Sequence, residues 1–186
     1  MQVHNEDTKT EDRQAASRRV SLRKPASADG SRIWRLVAVC PPLDQNSMYC
    51  NLLQCRDFAE TSVLAELQGE AVGWVSGYRR PDDPSTLFIW QVAVHERARG
   101  LGLARRMLFD LLERQGARDV VRMQTTITPD NRASHALFRS VAERADADLE
   151  ETVCFDGERH FAGRHASERL ITIGPLNRRR NARSAA

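Results

Sequence analysis

The chain has 186 residues, of which 41% are hydrophobic and 28% are charged, and its formal net charge is +3. This length and composition indicate one globular domain with a core of its own. No apolar run approaches the roughly 20 residues that a bilayer-spanning helix needs, which excludes an integral membrane helix. The polar amino terminus has no hydrophobic segment of a secretory signal, so we expect a cytoplasmic protein.

The two ends of the chain differ in composition from the part between them. Residues 1–18 are polar and of mixed charge, which predicts a flexible arm. Residues 177–186 carry four arginines and no acid, so a nucleic-acid or membrane role has to be considered. Because no aromatic residue is interleaved with these arginines, a disordered solvated tail is the preferred interpretation. We therefore expect one domain at residues 19–176, with neither nucleic acid nor membrane as its partner.

The four cysteines do not indicate a metal or a redox pair. Their spacing contains no CxxC, and no His/Cys cluster is typical of a zinc site. We expect four reduced thiols, most of them buried, and no metal. The cysteines are Cys40, Cys50, Cys55 and Cys154.

The first half of the domain predicts a strand, two helices and a hairpin. Alternation at residues 20–23 predicts the strand, and apolar spacing over Ile33, Leu36 and Val37 predicts a helix that ends before Pro41. The cap of that helix is Ser27, Asp29 or Ser31. A second helix is predicted at residues 47–58. Two strand-like runs around Gly69, at residues 62–67 and 71–78, predict a β-hairpin.

The second half predicts strands that alternate with helices. A near-continuous apolar run at residues 87–94 is typical of a central strand covered on both faces. Helical spacing follows at residues 100–115, with an inner stripe of Leu101, Ala104, Leu108, Leu111 and Leu112. The remaining predicted elements are a strand at 120–127, a helix at 131–144 with Phe138, Val141 and Ala145 packing inward, and strands at 149–155 and 170–173. This order predicts an α/β fold, with a mixed twisted sheet flanked by helices.

The junction at residues 92–102 carries the strongest chemical signal. A buried strand runs into a loop with Gly100 and Gly102, and the loop opens a helix. Successive backbone N–H groups and the helix N-terminus form an anion site there, for which a pyrophosphate is the natural ligand. Arg97 and Arg99 can add charge-assisted hydrogen bonds from the rim. The alternative is a plain tight turn into a helix.

Two other phosphate motifs do not fit this junction. A P-loop needs Lys-Ser/Thr after its glycines, and the dinucleotide fingerprint needs a small residue where Arg105 stands. The remaining pattern, Arg97-x-x-Gly100-x-Gly102, resembles the pyrophosphate loop of the GNAT acetyltransferases. The resemblance implies the GNAT acyl-CoA N-acyltransferase fold and acetyl-CoA as cosubstrate. It also implies that the coenzyme lies along Val92, Ala93, Val94, Arg97, Arg99, Gly100, Leu101 and Gly102.

A second segment is similar to the same family. Thr128-Pro129-Asp130-Asn131 resembles the start of the GNAT helix that flanks the pantetheine arm, and this resemblance implies a coenzyme contact for Asn131. The alternative, that Asn131 caps a helix, is compatible with that contact. Phe138 departs from the family, because many members place a Tyr there to protonate the leaving thiolate. That role must pass to another group or to water.

Longer motifs resemble the diaminobutyrate acetyltransferases of ectoine biosynthesis, an osmotic-stress pathway. They lie at residues 41–50, 87–94 and 125–131, with His165-x-x-Glu168 and residues 173–176 near the end. The resemblance covers about residues 20–176. It implies transfer of acetyl to the γ-amine of L-2,4-diaminobutyrate, and a homodimer.

The side chains of the predicted substrate site suit a small cationic amine. Carboxylates, aromatic faces and an imidazole are offered by Asp44, Tyr49, Trp90, His165 and Glu168. Each has an alternative structural role: Trp90 as core, Tyr49 as a cover for the coenzyme, Asp44 as a helix cap, and His165 with Glu168 as a surface pair in a loop.

The expected mechanism is direct attack in a ternary complex, without an acyl-enzyme. Glu168, His165 or Asp44 is the candidate general base, and Tyr49 is the candidate acid. A backbone N–H near Val94 is expected to hold the oxyanion, where the central strand separates from its neighbour. No cysteine lies in the junction, which argues against a cysteine nucleophile. The alternatives are acetylation of another small amine, a polyamine or a protein amine, and a non-catalytic CoA-binding sensor.

Overall fold

The computed structural model describes residues 19–176. The predicted arm at residues 1–18 and the arginine tail at 177–186 lie outside the described residues, so the domain boundaries remain predictions. The helices and strands, in chain order, are β1 (Ser21–Arg23), α1 (Gly30–Ala38), α2 (Met48–Asp57), β2 (Val63–Leu67), β3 (Glu70–Arg79), β4 (Thr86–Val94), α3 (Leu103–Glu113), β5 (Arg122–Ile127), α4 (Arg132–Ala145), β6 (Asp148–Phe155), α5 (Gly157–Phe161) and β7 (Glu168–Gly174).

The seven strands form one mixed sheet in the order β1-β2-β3-β4-β5-β7-β6. The β4–β5 pair is parallel, whereas the pairs β1–β2, β2–β3, β5–β7 and β6–β7 are antiparallel. The predicted α/β class, with a mixed sheet flanked by helices, is confirmed. The described chain divides into a first unit, up to Ser76 together with Gln91–Gly116, and a second unit, Gly77–Trp90 together with the residues from Ala117 onward.

The core of the first unit is built on the predicted inner face of α1. Ile33, Leu36 and Val37 are almost fully buried and pack with Trp74 of β3 and Ala93 of β4. Burial of each such aliphatic side chain contributes about 1.5–3 kcal/mol, which explains why the 3.6-residue spacing of α1 identified its inner face.

A charged network joins β1, the start of α1 and β2. Arg23 donates to Asp29 at 2.7 Å and to Glu66 at 2.8 Å, and Arg32 donates to the same two carboxylates. The hydrogen bonds from Arg23 hold the pKa of both Asp29 and Glu66 below its usual range. Asp29 occupies the N-cap position of α1, but its carboxylate makes no cap hydrogen bond there. Its role is therefore ion pairing rather than the predicted capping.

Helix α3 corrects the prediction for residues 100–115. It begins at Leu103, and its buried stripe contains Leu103 and Met107 where Leu101 and Ala104 were predicted. The cause lies in the loop, since Gly100 and Gly102 have φ angles of 75° and 68° and cannot belong to a right-handed helix. The predicted inward positions of the last two turns, including Leu108, are confirmed.

Strand β4 is central, as predicted, but it is not covered on both faces. Leu87, Ile89 and Ala93 are buried, whereas Trp90 is 45% exposed and Val92 is only half-buried. The apolar run therefore reflects one core face and one partly open face. The alternative that Trp90 is simple core is wrong.

In the second unit one face of the sheet is packed and the other is not. Met123, Ile127, Ile171 and Ile173 are buried on one side of β5 and β7. Helix α4, whose Phe138, Val141 and Ala145 point inward as predicted, packs against β6 and β7. The sequence did not predict the five-residue helix α5, because so short a segment shows no helical period.

The four cysteines are free thiols, but only two of them are buried. Cys40 and Cys55 are buried, whereas Cys50 and Cys154 are half-buried, so the expectation that most are buried is wrong. Among residues 19–176 no helix has the length and apolar character to cross a membrane. In the same part of the chain, no cluster of His, Cys, Asp or Glu could hold a metal ion.

Candidate active site

The loop that follows β4 begins with a short 3-10 turn at Glu96–Ala98. Within this turn the amides are already used: Arg97 N donates to His95 Nδ1, Ala98 N to His95 O, and Arg99 N to Glu96 O, at 2.9–3.3 Å. The amides of Arg97, Ala98 and Arg99 are therefore engaged, and we expect the donors to a ligand beyond Arg99.

The first main-chain bond of α3 runs from Arg106 N to Gly102 O at 3.0 Å, so the amides of Leu103, Ala104 and Arg105 in the first turn have no partner within the helix. Gly100 and Gly102 supply the left-handed turns of this loop, and nothing lies within 4 Å of where a Cβ would be at either position. Successive donors of this kind at a helix N-terminus bind anions. This geometry agrees with both interpretations, a plain turn into a helix and an anion site, so the anion site stays a prediction.

The two arginines of the junction have different surroundings. Arg99 Nε donates to the main-chain O of Val94 at 3.2 Å, so this side chain contacts the end of β4. Arg97 lines a cavity of about 580 Å³ together with Arg32 and Arg35 of α1. Contact of either guanidinium with a coenzyme diphosphate stays a prediction.

The fold brings a cysteine to the junction that the linear sequence had kept apart from it. The thiol of Cys40 contacts Arg99 and the main chain of Val94. Burial raises the pKa of this thiol, although Arg99 opposes the shift. Cys40 is therefore a protonated core thiol and a poor nucleophile.

The last residues of β4 extend beyond its pairs with β5. The ladder with β5 pairs Thr86, Leu87 and Phe88 with residues 122–124 and ends there, although β4 continues to Val94. Ala93 is fully buried, and Val92 and Val94 are half-buried. The predicted oxyanion donor, the N–H of Val94, belongs to this part of the strand, beyond the last pair with β5. Because this N–H also contacts the Cys40 thiol, its role as oxyanion donor stays a prediction.

Asp44 and Tyr49 lie in the first unit, on either side of the start of α2. Gln91 Nε2 donates to the main-chain O of Asp44 at 3.0 Å, which attaches the loop after α1 to β4. Ser47 Oγ accepts from Cys50 N and caps α2, so the alternative that Asp44 caps this helix is wrong. Tyr49, in the first turn of α2, is 68% exposed.

Trp90 belongs to a half-buried face of the sheet in the second unit, which we call the open face. On β5 and β7 alternate residues are buried, and the residues between them are only half-buried. Because Phe88 pairs with Gln124, and Gln124 with Thr172, the three strands share this face. The open face consists of Phe88, Trp90, Gln124, Thr126, Glu168, Leu170 and Thr172.

Aromatic rings surround Trp90 on the open face. The ring of Tyr78 lies 6.4 Å from Trp90, edge to face, and 5.2 Å from Phe88. The indole remains 45% exposed, which leaves an aromatic surface of the kind that binds an ammonium group.

His165 and Glu168 are placed by β7 and the loop before it. Glu168 is the first residue of β7, so the alternative of a pair within a loop is wrong. The ring of His165 lies 4.8 Å from that of Phe161, and its Nδ1 is 2.7 Å from the main-chain O of Ala166. A carbonyl oxygen only accepts, so this contact is a hydrogen bond when Nδ1 carries a proton, and a neutral ring of that tautomer has its lone pair on Nε2. This tautomer can act as a general base through Nε2.

The sequence did not single out a polar row on the open face. Arg80, directly after β3, donates from Nη1 to Gln124 Oε1 at 2.9 Å. Gln124 Nε2 in turn donates to Thr172 Oγ1 at 3.0 Å. The one available signal was the polar alternation of Arg122, Gln124 and Thr126 within the strand at 120–127.

Asn131 and Phe138 lie on the helix of the second family-like segment. Asn131 Oδ1 accepts from Ser134 N at 3.1 Å, so Asn131 caps α4. Its amide nitrogen is left for the coenzyme contact, which stays a prediction. Phe138 is 3% exposed and offers no proton, so it cannot supply the acid.

Comparison with known proteins identifies the class to which this fold and anion site belong. The model of the acetyltransferase (GNAT) family matches residues 31–142, and the chain belongs to that family.

Within the family, the similarity is to one group of enzymes. The chain is 52% identical to the L-2,4-diaminobutyric acid acetyltransferase of Methylotuvimicrobium alcaliphilum, over 84% of this chain and 91% of that protein. The enzyme of the same name from Vibrio parahaemolyticus is 46% identical, over 84% of this chain and 87% of its own length. These identities place the chain among the diaminobutyric acid acetyltransferases.

Solved structures agree with this assignment. The diaminobutyrate acetyltransferase of Paenibacillus lautus, in complex with its substrate L-2,4-diaminobutyric acid and coenzyme A, is 38% identical with a TM-score of 0.81, covering 85% of this chain and 96% of its own. Ard1 from Thermoplasma volcanium has a TM-score of 0.68 at 14% identity, over 84% of this chain and 98% of its own, and shows the common fold alone.

Proposed function

We propose that this chain transfers the acetyl group of acetyl-CoA to the γ-amine of L-2,4-diaminobutyrate, giving N-γ-acetyl-diaminobutyrate for ectoine synthesis. The observation that supports coenzyme binding is the loop with Gly100 and Gly102 at positive φ, which opens α3 so that the amides of its first turn have no partner within the helix. The assignment of the substrate is supported by the relatives and by the P. lautus enzyme, whose structure is a complex with L-2,4-diaminobutyric acid and coenzyme A.

The coenzyme is proposed to bind through main-chain groups. The amides of Gly100, Leu101 and Gly102 donate to its diphosphate, and Arg97 and Arg99 add positive charge. Its pantetheine and thioester lie along Val92, Ala93 and Val94, and Asn131 contributes a further contact. Main-chain donors suit this task because they are fixed before binding and lose no side-chain entropy.

The diamino acid is proposed to bind through carboxylates and aromatic rings. Trp90 offers its exposed indole and Glu168 its carboxylate to an ammonium group, and Asp44 and Tyr49 add a second carboxylate and a second ring. An amine with an ordinary pKa near ~10 must lose a proton before it attacks. His165 through Nε2, or Glu168, accepts that proton, and Asp44 is the third candidate.

The acetyl transfer is proposed to proceed without a covalent enzyme intermediate. The nitrogen attacks the thioester carbonyl, and the N–H of Val94 stabilises the negative charge that develops on the oxygen. The C–S bond then breaks, and Tyr49 returns a proton to the thiolate. Holding both substrates in a ternary complex supplies much of the rate. The buried thiol of Cys40, kept protonated, takes no part.

A single assay tests the proposal. The protein is mixed with acetyl-CoA and L-2,4-diaminobutyrate, and free thiol is followed with a chromogenic disulfide. Thiol release with diaminobutyrate, and little with spermidine or peptides, is the expected result, and mass spectrometry or NMR of the product identifies the γ-amide. Turnover of another amine in place of diaminobutyrate would contradict the proposed substrate. Binding of CoA without turnover of any amine would favour a non-catalytic CoA sensor.

The setting of the enzyme is also proposed rather than observed. We expect it to act in the cytoplasm during osmotic stress as a homodimer with a small-molecule substrate, as the family resemblance implies. Light scattering at micromolar concentration gives the mass directly, and one chain has a mass of 21.0 kDa. A mass of one chain would contradict the dimer.

A further inference from the structure

The substrate carries a group for which the residues considered so far provide no partner. L-2,4-diaminobutyrate has two amines and one carboxylate, whereas Asp44 and Glu168 are acids and Trp90 and Tyr49 are aromatic. A buried or half-buried carboxylate needs a cation or several N–H donors, because desolvation is otherwise costly. On the open face the cation that could pair with this carboxylate is Arg80.

We propose that Arg80, held in place by Gln124, binds the α-carboxylate of the diamino acid and so selects for amino acids over simple diamines. This assignment rests on the proposed function, because it concerns the substrate of the same site. It names a specificity-determining residue for the reaction.

Two N–H groups of the Arg80 guanidinium have no acceptor within residues 19–176. Of its five N–H groups, Nε–H and one on Nη2 bond to Asp82, and one on Nη1 bonds to Gln124 Oε1. One hydrogen therefore remains on each terminal nitrogen, and these N–H groups can donate to a carboxylate. The partner Asp82 is 66% exposed, and a pair with such an exposed carboxylate stabilises the fold little.

Gln124 fixes the direction in which Arg80 points. Its amide accepts from Arg80 and donates to Thr172 on the neighbouring strand, so both ends of the amide are engaged. The row holds the guanidinium over the open face, beside the aromatic group of Tyr78, Phe88 and Trp90. A cation held by its neighbours loses less entropy when the ligand arrives.

The separation between Arg80 and Glu168 suits a diamino acid. Gln124, which holds Arg80, pairs with Thr172 on β7, and Glu168 precedes Thr172 by four residues. At roughly 3.3 Å per residue, Glu168 therefore lies about 13 Å along the strand from Thr172. The four bonds between the γ-nitrogen and the carboxyl carbon extend to about 5 Å, and one hydrogen bond of ~2.8 Å at each end brings the span to about 11 Å. The side chains of Arg80 and Glu168 are long enough to make up the difference between the distance of about 13 Å along the strand and the span of about 11 Å of the bound ligand.

The pKa of the Cys154 thiol on β6 depends on the charges of both Glu168 and Arg80. Burial raises the pKa of this thiol, the negative charge of Glu168 raises it further, and the positive charge of Arg80 opposes the shift. Arg80 and Glu168 therefore both lie within electrostatic reach of one atom of the second unit.

Removing the carboxylate from the substrate gives the decisive experiment. Decarboxylated diaminobutyrate is 1,3-diaminopropane, and we expect wild-type enzyme to prefer the amino acid. In Arg80→Met, kcat/KM for diaminobutyrate should fall about 10–100-fold, as for loss of a charge-assisted hydrogen bond, with most of the loss in KM. The kcat/KM for 1,3-diaminopropane should stay within about threefold of wild type, since charge-assisted pairing to a carboxylate is absent from that complex.

Two further variants serve as rescue and control. Arg80→Lys should recover part of the preference for diaminobutyrate over 1,3-diaminopropane, because lysine keeps the positive charge but lacks the planar guanidinium with its several donors. Arg122→Met removes an arginine from the same strand as Gln124, two residues away, where it pairs with Asp83 at 3.6 Å. That variant should keep the wild-type preference. Thermal unfolding and acetyl-CoA affinity are measured for each variant to separate misfolding from lost recognition.

The results distinguish this inference from the function on which it rests. Wild-type enzyme that releases no thiol with diaminobutyrate overturns both. Wild-type activity combined with an equal loss on both amines in Arg80→Met, or with no change in their ratio, overturns the role of Arg80 alone. If Arg80→Met does not fold, the ratio of kcat/KM for diaminobutyrate to kcat/KM for 1,3-diaminopropane is measured in Arg80→Lys and Gln124→Leu instead. A wild-type ratio in both variants overturns the role of Arg80.

Discussion

Substituting Gly102 by alanine separates the strain of a backbone turn from the loss of a coenzyme site. The φ of Gly102 is 68°, and nothing lies within 4 Å of where a Cβ would be, so alanine meets no steric obstacle beyond its own backbone. The left-handed conformation costs a non-glycine residue roughly 1–2 kcal/mol. The loop can keep the positive φ at residue 102 and lose this stability, or it can relax to negative φ, which would turn its amides away from the proposed diphosphate site.

The expected result has a stability component and a binding component. A loss of about 1–2 kcal/mol lowers Tm by roughly 2–8 °C in a chain of this size. Displaced amides should raise the Kd for acetyl-CoA about tenfold or more, since each factor of ten corresponds to ~1.4 kcal/mol. Differential scanning fluorimetry gives the first quantity and isothermal titration calorimetry the second.

Gly69 provides the matched control. It lies in the β2–β3 hairpin with φ of 80°, and nothing lies within 4 Å of its Cβ position either. Gly69→Ala should therefore lose a similar Tm while its acetyl-CoA affinity stays at the wild-type value. Unchanged acetyl-CoA affinity in both Gly102→Ala and Gly100→Ala, with the expected Tm loss, would refute the assignment of these amides to the diphosphate.

Three other substitutions test the fold and the chemistry. Asp29→Asn should cost about 2 kcal/mol at pH 7, because the buried Asp29 is the anion that pairs with the partly exposed Arg23 and Arg32. The pKa of Asp29 is lowered in the folded state, so its contribution is complete above about pH 4 and is lost as pH falls through the folded value. Wild-type Tm should therefore fall more steeply below about pH 4 than that of the variant. Gly30→Ala places a Cβ 2.6 Å from a methyl carbon of Leu52 and should cost about 1–3 kcal/mol in urea unfolding, and wild-type stability would show that α2 can move. Tyr49→Phe should lower kcat about 100-fold or more with unchanged acetyl-CoA affinity if its hydroxyl is the acid, and a wild-type kcat would transfer that role to water.

The sequence predicted elements whose period is set by burial. Helix α1 was recognised from Ile33, Leu36 and Val37, and α4 from Phe138 and Val141, because each set forms one stripe against a core. The hairpin around Gly69 followed from turn chemistry. Local signals of this kind need no knowledge of the rest of the chain.

Other features depend on geometry that spacing does not contain. The start of α3 was predicted three residues early, because Gly100 is compatible with a helix in sequence but has positive φ in the loop. The apolar run of β4 suggested two covered faces, whereas Trp90 is 45% exposed. Arg80 and Gln124 are 44 positions apart, and only the sheet brings them into contact.

The main-chain donors proposed for the diphosphate, from Gly100 to Gly102, do not distinguish acetyl-CoA from free CoA, because the diphosphate is the same in both. Under the proposed function, free CoA should compete with acetyl-CoA at nearly equal affinity, and product inhibition should be strong. The rate of the enzyme would then follow the acetylated fraction of the cellular CoA pool more closely than its total concentration, which would couple output to carbon supply without a separate regulatory domain.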